Sequence, residues 1–210
     1  VEKQKPIWPK GVSLKPALQQ ARQAMAALNW VAAASKAGCD YESGAFRVRF
    51  LDKTCRVLAP GGTVEEEGSP VEPSHDVQLV LLHYLLNADG TPPAGMWITF
   101  RHVPDGMVFD SRFNAMAVEP LVPAFKSDLT GFRKACERLG GIAMSRTGDA
   151  SYRFMALPQI PMGVVLYLAD EEMSASISIL FDAVAANYLC AEDLAFLGIH
   201  LSSLLLKARG

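Results

Sequence analysis

The chain lacks every short signature that would assign a common chemistry at sight. It has no Cys-x-x-Cys pair, no Gly-x-Gly-x-x-Gly or Walker loop, no His-Glu-x-x-His and no Gly-x-Ser-x-Gly elbow. Zinc and iron–sulfur sites, nucleotide-binding loops, zincin proteases and the commonest serine hydrolases are therefore without support. Cysteine is scarce and scattered: Cys39, Cys55, Cys136 and Cys190 lie 16, 81 and 54 positions apart. They read as four separate thiols, which suits a reducing compartment and a cytoplasmic location. Charge of one sign is lacking too, with 20 Lys and Arg against 22 Asp and Glu. No basic stripe alternates with aromatics, so neither nucleic acid nor an anionic membrane surface is an expected partner. No apolar run approaches the ~18–20 residues of a membrane span. Residues 1–13 are polar, carry two prolines and have no signal-peptide core, which predicts an extended arm.

What is present is an ordinary globular composition, half hydrophobic and one-fifth charged. A chain of 210 residues has room for one substantial core and needs no disulfide or metal to fold. The stretch from Ala17 to Lys36 is rich in Ala, Gln, Leu and Met, which predicts one helix burying Leu14, Leu18, Met25, Leu28 and Val31 and stopping at Gly38. Phe46, Val48 and Phe50 alternate with Arg47 and Arg49, the period-2 pattern of a half-buried strand. Cys55 to Leu58 returns as its hairpin partner, Pro60 to Gly62 makes a second turn, and residues 65–73 read as a polar loop. Ser74 or Asp76 starts a helix to about Leu86 with almost no polar face, so it belongs in the centre. Strands are expected over Met96–His102, Tyr152–Leu157 (bounded by Pro158 and Pro161), Val164–Leu168 and Ile177–Phe181. Helices broken by Pro120 and Pro123 cover Phe113–Leu139, and a last helix runs from Ala191 to Lys207. The order does not alternate strictly. It predicts an α+β fold, a largely antiparallel sheet packed with helices, as a single compact domain over residues 14–210.

Several segments resemble an uncharacterised domain-of-unknown-function family, DUF3786-like, of bacteria and archaea that are mostly anaerobes. They are residues 81–90 (LLHYLLNADG), 95–101 (GMWITFR), 154–158 (FMALP) and the block from Leu180-Phe-Asp182 to Gly198. The resemblance covers roughly residues 14–207. Some relatives are fused to a four-cysteine iron–sulfur module; this chain has no such spacing, so no cluster of its own is implied. The family pattern carries proline and a hydroxyl residue where Cys190 and Ala191 stand.

The candidate ligand-binding residues are His83, Tyr84, Arg101, Asp182, Tyr188, Glu192 and Asp193; no metal site is read. His83, on a helix otherwise apolar, is either a core histidine with a hydrogen-bonded neighbour or a polar handle or axial ligand for haem or a corrinoid. Arg101 shares a strand face with Trp97 and either clamps a carboxylate or phosphate or pairs with Asp182 or Glu192. Glu192 and Asp193 suit the N-terminus of the last helix. Asp182 either orders the corner after its strand by accepting backbone N–H bonds or acts as a base, with Tyr188 bonded to it in both cases. Asp170 to Glu172 read as a solvated turn. Three functions stay open: a non-catalytic accessory or cofactor-binding protein linked to metallocofactor (corrinoid, haem or iron–sulfur) metabolism in an anaerobe, a small enzyme around Asp182 and Glu192, and a structural or protein-interaction domain using apolar residues such as Met107, Phe109 and Phe113. The partner is accordingly a small-molecule cofactor or another protein.

Overall fold

The computed structural model describes residues 13–145 and 147–209. The arm expected over residues 1–13 lies, but for its last position, outside them. The fold is α+β, with two antiparallel sheets and helices packed on them.

The first helical stretch divides in two, α1 (Lys15–Met25) and α2 (Trp30–Ala37). Asn29 causes the break. Its side chain accepts the Ala32 N–H at 3.1 Å and caps α2, an alternative to continuing the helix. The helix restarts on a new face, burying Ala33, Ala34 and Ala37. Val31, expected inside, is 71% exposed. Gly38 ends α2 at φ 64°, as a left-handed cap requires.

Four strands follow: β1 (Asp40–Glu42), β2 (Ala45–Phe50), β3 (Lys53–Leu58) and β4 (Thr63–Glu66), paired in chain order. Phe46, Val48 and Phe50 are fully buried while Arg47 and Arg49 face out, as the alternation predicts. The loop expected from residue 65 starts later, because Val64 is buried beside Val57 and draws Thr63–Glu66 into the sheet. On the open face Arg47 meets Glu67 through two bonds of 2.7 and 2.9 Å.

Helix α3 (His75–Asn87) crosses the centre, burying a nearly continuous run from Val77 to Leu82. The strand expected over residues 96–102 is only β5 (Trp97–Thr99); the chain then tightens into a 3-10 turn, Phe100–His102. Helix α4 (Gly106–Phe113) leads into a π-helical turn, Asn114–Val118, closed by Glu119 N–H to Asn114 C=O at 2.9 Å. Helices α5 (Leu121–Phe125) and α6 (Leu129–Arg138) follow. Then come β6 (Ile142–Ala143), β7 (Ala150–Leu157), β8 (Ile160–Tyr167) and β9 (Ser176–Asp182). Pro161 lies inside β8 rather than before it, paired with Met155 next to a register shift that tolerates the missing N–H. The second sheet has the order β5-β9-β8-β7-β6. A short helix α7 (Ala185–Tyr188) and the long α8 (Ala191–Ala208) close the chain.

The two sheets meet at Leu51, whose N–H donates to Ala156 C=O at 2.8 Å. One apolar core runs through both sheets, α3 and α8. In it His200 lies between the rings of Phe50 and Phe196, and burial holds its pKa down at about 4. No helix among the described residues is long and apolar enough to cross a membrane.

Candidate functional site

The C-terminal half of α3, the corner after β9 and the start of α8 converge on one region, and the loop over residues 88–96 is strapped across it. That loop buries only Ala88 and has no apolar anchor of its own beyond it. Polar bonds from the corner hold it instead. The Asp182 carboxylate accepts the N–H groups of Ala94 (3.0 Å), Gly95 (2.7 Å) and Val184 (3.0 Å) and is fully buried. Tyr188 donates its hydroxyl to Thr91 C=O at 2.7 Å, and Asn187 donates to Asp89 at 2.8 Å. The Thr91 N–H, above all, holds the Asp89 carboxyl below the ordinary carboxylate range. Ala183 N–H closes on Met96 C=O at 2.9 Å.

Of the two readings of Asp182, the geometry matches the ordering role. Three backbone N–H groups occupy its oxygens at a fully buried position, which is what the ordering role requires. The bond expected from Tyr188 to Asp182 is absent, because the tyrosine reaches past it to the strap.

Tyr84 is equally committed. It is fully buried, donates to Ala37 C=O at 2.5 Å and accepts from Gln159 N–H at 3.0 Å. Its ring stacks on Tyr188 with centroids 5.4 Å apart. It ties α3 to α2 and to the turn between β7 and β8; burial pushes its phenol up.

His83 is different. Its Nδ1 lies 2.7 Å from Asp193 Oδ2, while the side chain keeps 29% of its surface accessible and Asp193 is buried. Against an ionised carboxylate, Nδ1 carries the proton and Nε2 is the nitrogen left for another partner. The bond to Asp193 raises the His83 pKa above 6.5, and partial burial opposes the rise. The Cys190 sulfur turns onto the same carboxylate oxygen at 3.2 Å. The residue as a whole is exposed, but the buried position of the sulfur and the charge of Asp193 push its pKa to about 12. Cys190 is thus a thiol donor, not an activated nucleophile.

The sequence suggests Asp193 as an acid favoured by the start of α8, and it does sit in that first turn with the half-buried Glu192. Its bond to a histidine 110 positions away carries no sequence signal. Arg101 is placed elsewhere. The 3-10 turn takes it off the face of Trp97, and its ion pair is with Asp110, Nη1 to Oδ2 at 3.6 Å, not with Asp182 or Glu192. The apolar patch expected from Met107, Phe109 and Phe113 also divides: Met107 is 65% exposed, Phe109 half-buried and Phe113 buried against Phe100. Among the described residues no group of three or more His, Cys, Asp or Glu could hold a metal ion.

Residues 30–203, most of the chain, match the family described as Domain of unknown function (DUF3786). The chain belongs to this family. No curated protein and no solved structure gives a significant match. The matched range takes in α3, the strap and the corner before α8, around His83 and Asp182.

The His83–Asp193 pair has a defined pH signature. A histidine pKa raised by folding adds stability fully present below the unfolded value of 6.5 and lost as pH rises through the higher folded value. NMR titration of His83 should give a pKa above 6.5, and Asp193→Asn should bring it down towards or below that value. An unchanged His83 titration in the variant would contradict the pairing.

Proposed function

We propose that this protein is a non-catalytic accessory that binds a metallocofactor, with His83 as its polar handle. The observation behind the reading is the His83–Asp193 bond of 2.7 Å on a half-exposed imidazole. Metal-ligating histidines typically donate their second ring N–H to a carboxylate, which fixes the tautomer and raises the basicity of the ligating nitrogen. Haem and corrinoids take such a nitrogen as an axial ligand. The reading carries with it a cytoplasmic setting in an anaerobe, and relatives joined to a four-cysteine iron–sulfur module; this chain would serve such chemistry without a cluster of its own. The enzyme alternative around Asp182 and Glu192 draws no support from a carboxylate occupied by three backbone donors.

The test is optical. The purified chain is titrated separately with haemin and with hydroxocobalamin while the visible bands are followed. One of them should shift with saturation at one equivalent. His83→Ala should abolish the shift, and Asp193→Asn should weaken binding by about 10- to 100-fold, the usual cost of losing such a carboxylate partner. Spectra that stay unchanged with both cofactors, or a shift that survives in His83→Ala, would overturn the reading.

A further inference from the structure

The second sheet is cut short along one edge. β5 pairs with β9 through three positions, Trp97 with Asp182, Ile98 with Phe181 and Thr99 with Leu180. The chain then leaves in the 3-10 turn. β9 keeps its pairing with β8 as far as Ser176. Among the described residues, 176–179 therefore have a strand on one side and none on the other. A strand edge of this kind presents unpaired N–H and C=O groups, a template for another chain.

A cleft of about 210 Å³ lies where the end of β5, the 3-10 turn, α4 and the π-helical turn meet β9. Ile177, Ser178 and Ile179, three consecutive residues, all line it. Side chains of a strand alternate between faces, so a cleft lined by three in a row follows the edge of the strand, not one face. The π-helical turn supplies a further wall through Asn114 and Val118. Such wide turns occur frequently at functional sites. Three residues of edge span roughly 10 Å, room for an equally short piece of extended chain.

Two features select what enters. β5 itself fills the lane beside β9 at Thr99, so a chain that lies along 177–179 parallel to β9 brings its C-terminus there. Arg101 lines the same cleft with its side chain 58% exposed. Among the described residues it meets one acid, Asp110, with Nη1 3.6 Å from Oδ2, beyond hydrogen-bond range. Asp110 also lines the cleft, but it is less exposed and its Oδ1 already accepts from Asn114 at 3.1 Å. Of the two charges, the guanidinium has the greater capacity to spare, and a planar guanidinium matches a carboxylate through two parallel bonds.

We infer that this cleft binds the free C-terminus of a partner protein as a short added strand, backbone against the open edge of β9 and terminal carboxylate on Arg101. Main-chain bonds to the edge supply the affinity. This is a protein-interaction site separate from His83, and it stands or falls without the cofactor reading.

A mixed hexapeptide library with free C-termini, and the same library amidated, are passed over the immobilised full-length chain, and retained peptides are identified by mass. Free-acid peptides should be retained and their amidated counterparts reduced by about tenfold or more, the loss of one strong charged contact. Arg101→Gln, an exposed substitution whose fold is checked by thermal melting, should lose the same discrimination. Hydrogen exchange should slow at the amides of residues 177–179 when a retained peptide is added. No retention, equal retention of amidated peptides (including those held by acidic side chains), or protection confined to another region would overturn the assignment.

Discussion

Replacing Asp182 with alanine should cost the fold about 3–5 kcal/mol, and asparagine should be little better. Hydrogen bonds to a charged group contribute ~1.5–3 kcal/mol each, and removing the acceptor leaves its buried donors unsatisfied. Three backbone N–H groups depend on this one carboxylate. Two of the three belong to the strap, where water can enter after the substitution, so the total falls short of the sum. Asparagine keeps one acceptor oxygen but sets an NH2 group against a backbone N–H. At ~2–4 °C per kcal/mol for a chain of this size, the melting temperature should fall by about 10 °C. Hydrogen exchange should rise at Ala94, Gly95 and Val184 before the rest of the sheet. Asp170 is the matched control: it also accepts backbone N–H bonds, from Glu172 and Met173, but in an exposed turn. Asp170→Ala should have a far smaller effect. If the two alanine variants melt together, the buried position of Asp182 is not what makes it matter.

The second large effect is at Gly106. It is buried at the start of α4, and a Cβ added there would stand 2.0 Å from the carbonyl oxygen of Phe100. That oxygen is backbone, held by the Val103 N–H at 3.1 Å, and cannot swing aside as a side-chain end would. Gly106→Ala must therefore shift the 3-10 turn or the first turn of α4. Forced overpacking of this kind costs ~1–3 kcal/mol, and a backbone clash belongs at the upper end. Urea unfolding should show a lower midpoint. Gly61→Ala, with open space around the added carbon, should be within about 0.5 kcal/mol of wild type. A Gly106→Ala variant as stable as Gly61→Ala would contradict the packing of this corner. The consequence reaches the cleft, because the 3-10 turn carries Arg101.

Much of the architecture was legible because it rests on local periodicity. The alternation from Phe46 to Phe50 marks its strand and its inward face, and the unbroken apolar run in α3 marks a central helix. The misreadings arise where a short-range competitor outweighs composition. Asn29 caps a new helix inside a stretch of good helix formers. Val64 draws a strand from a segment that looks like loop. The 3-10 turn truncates β5 at Thr99, inside the segment from Met96 to His102 expected as one strand.

The candidate site was legible as a list of residues but not as an arrangement. His83, Asp182, Tyr188 and Asp193 all stand out by type and place, yet each has a partner about 90 to 110 positions away. Asp182 and Tyr188 proved to hold the strap, Tyr84 to join three elements, and Arg101 to belong to another cleft.

By itself the sequence determined the α+β class, the hairpins, the central α3 and the chemistries left without a signature, since composition and hydrophobic period act within a few residues. Only the tertiary structure decided that Asp193 faces His83, that Asp182 serves the backbone of a loop far from it in the chain, and that β9 has an open edge among the described residues. Those pairings follow from how packed elements bring distant segments together, and no local pattern encodes the distance between them.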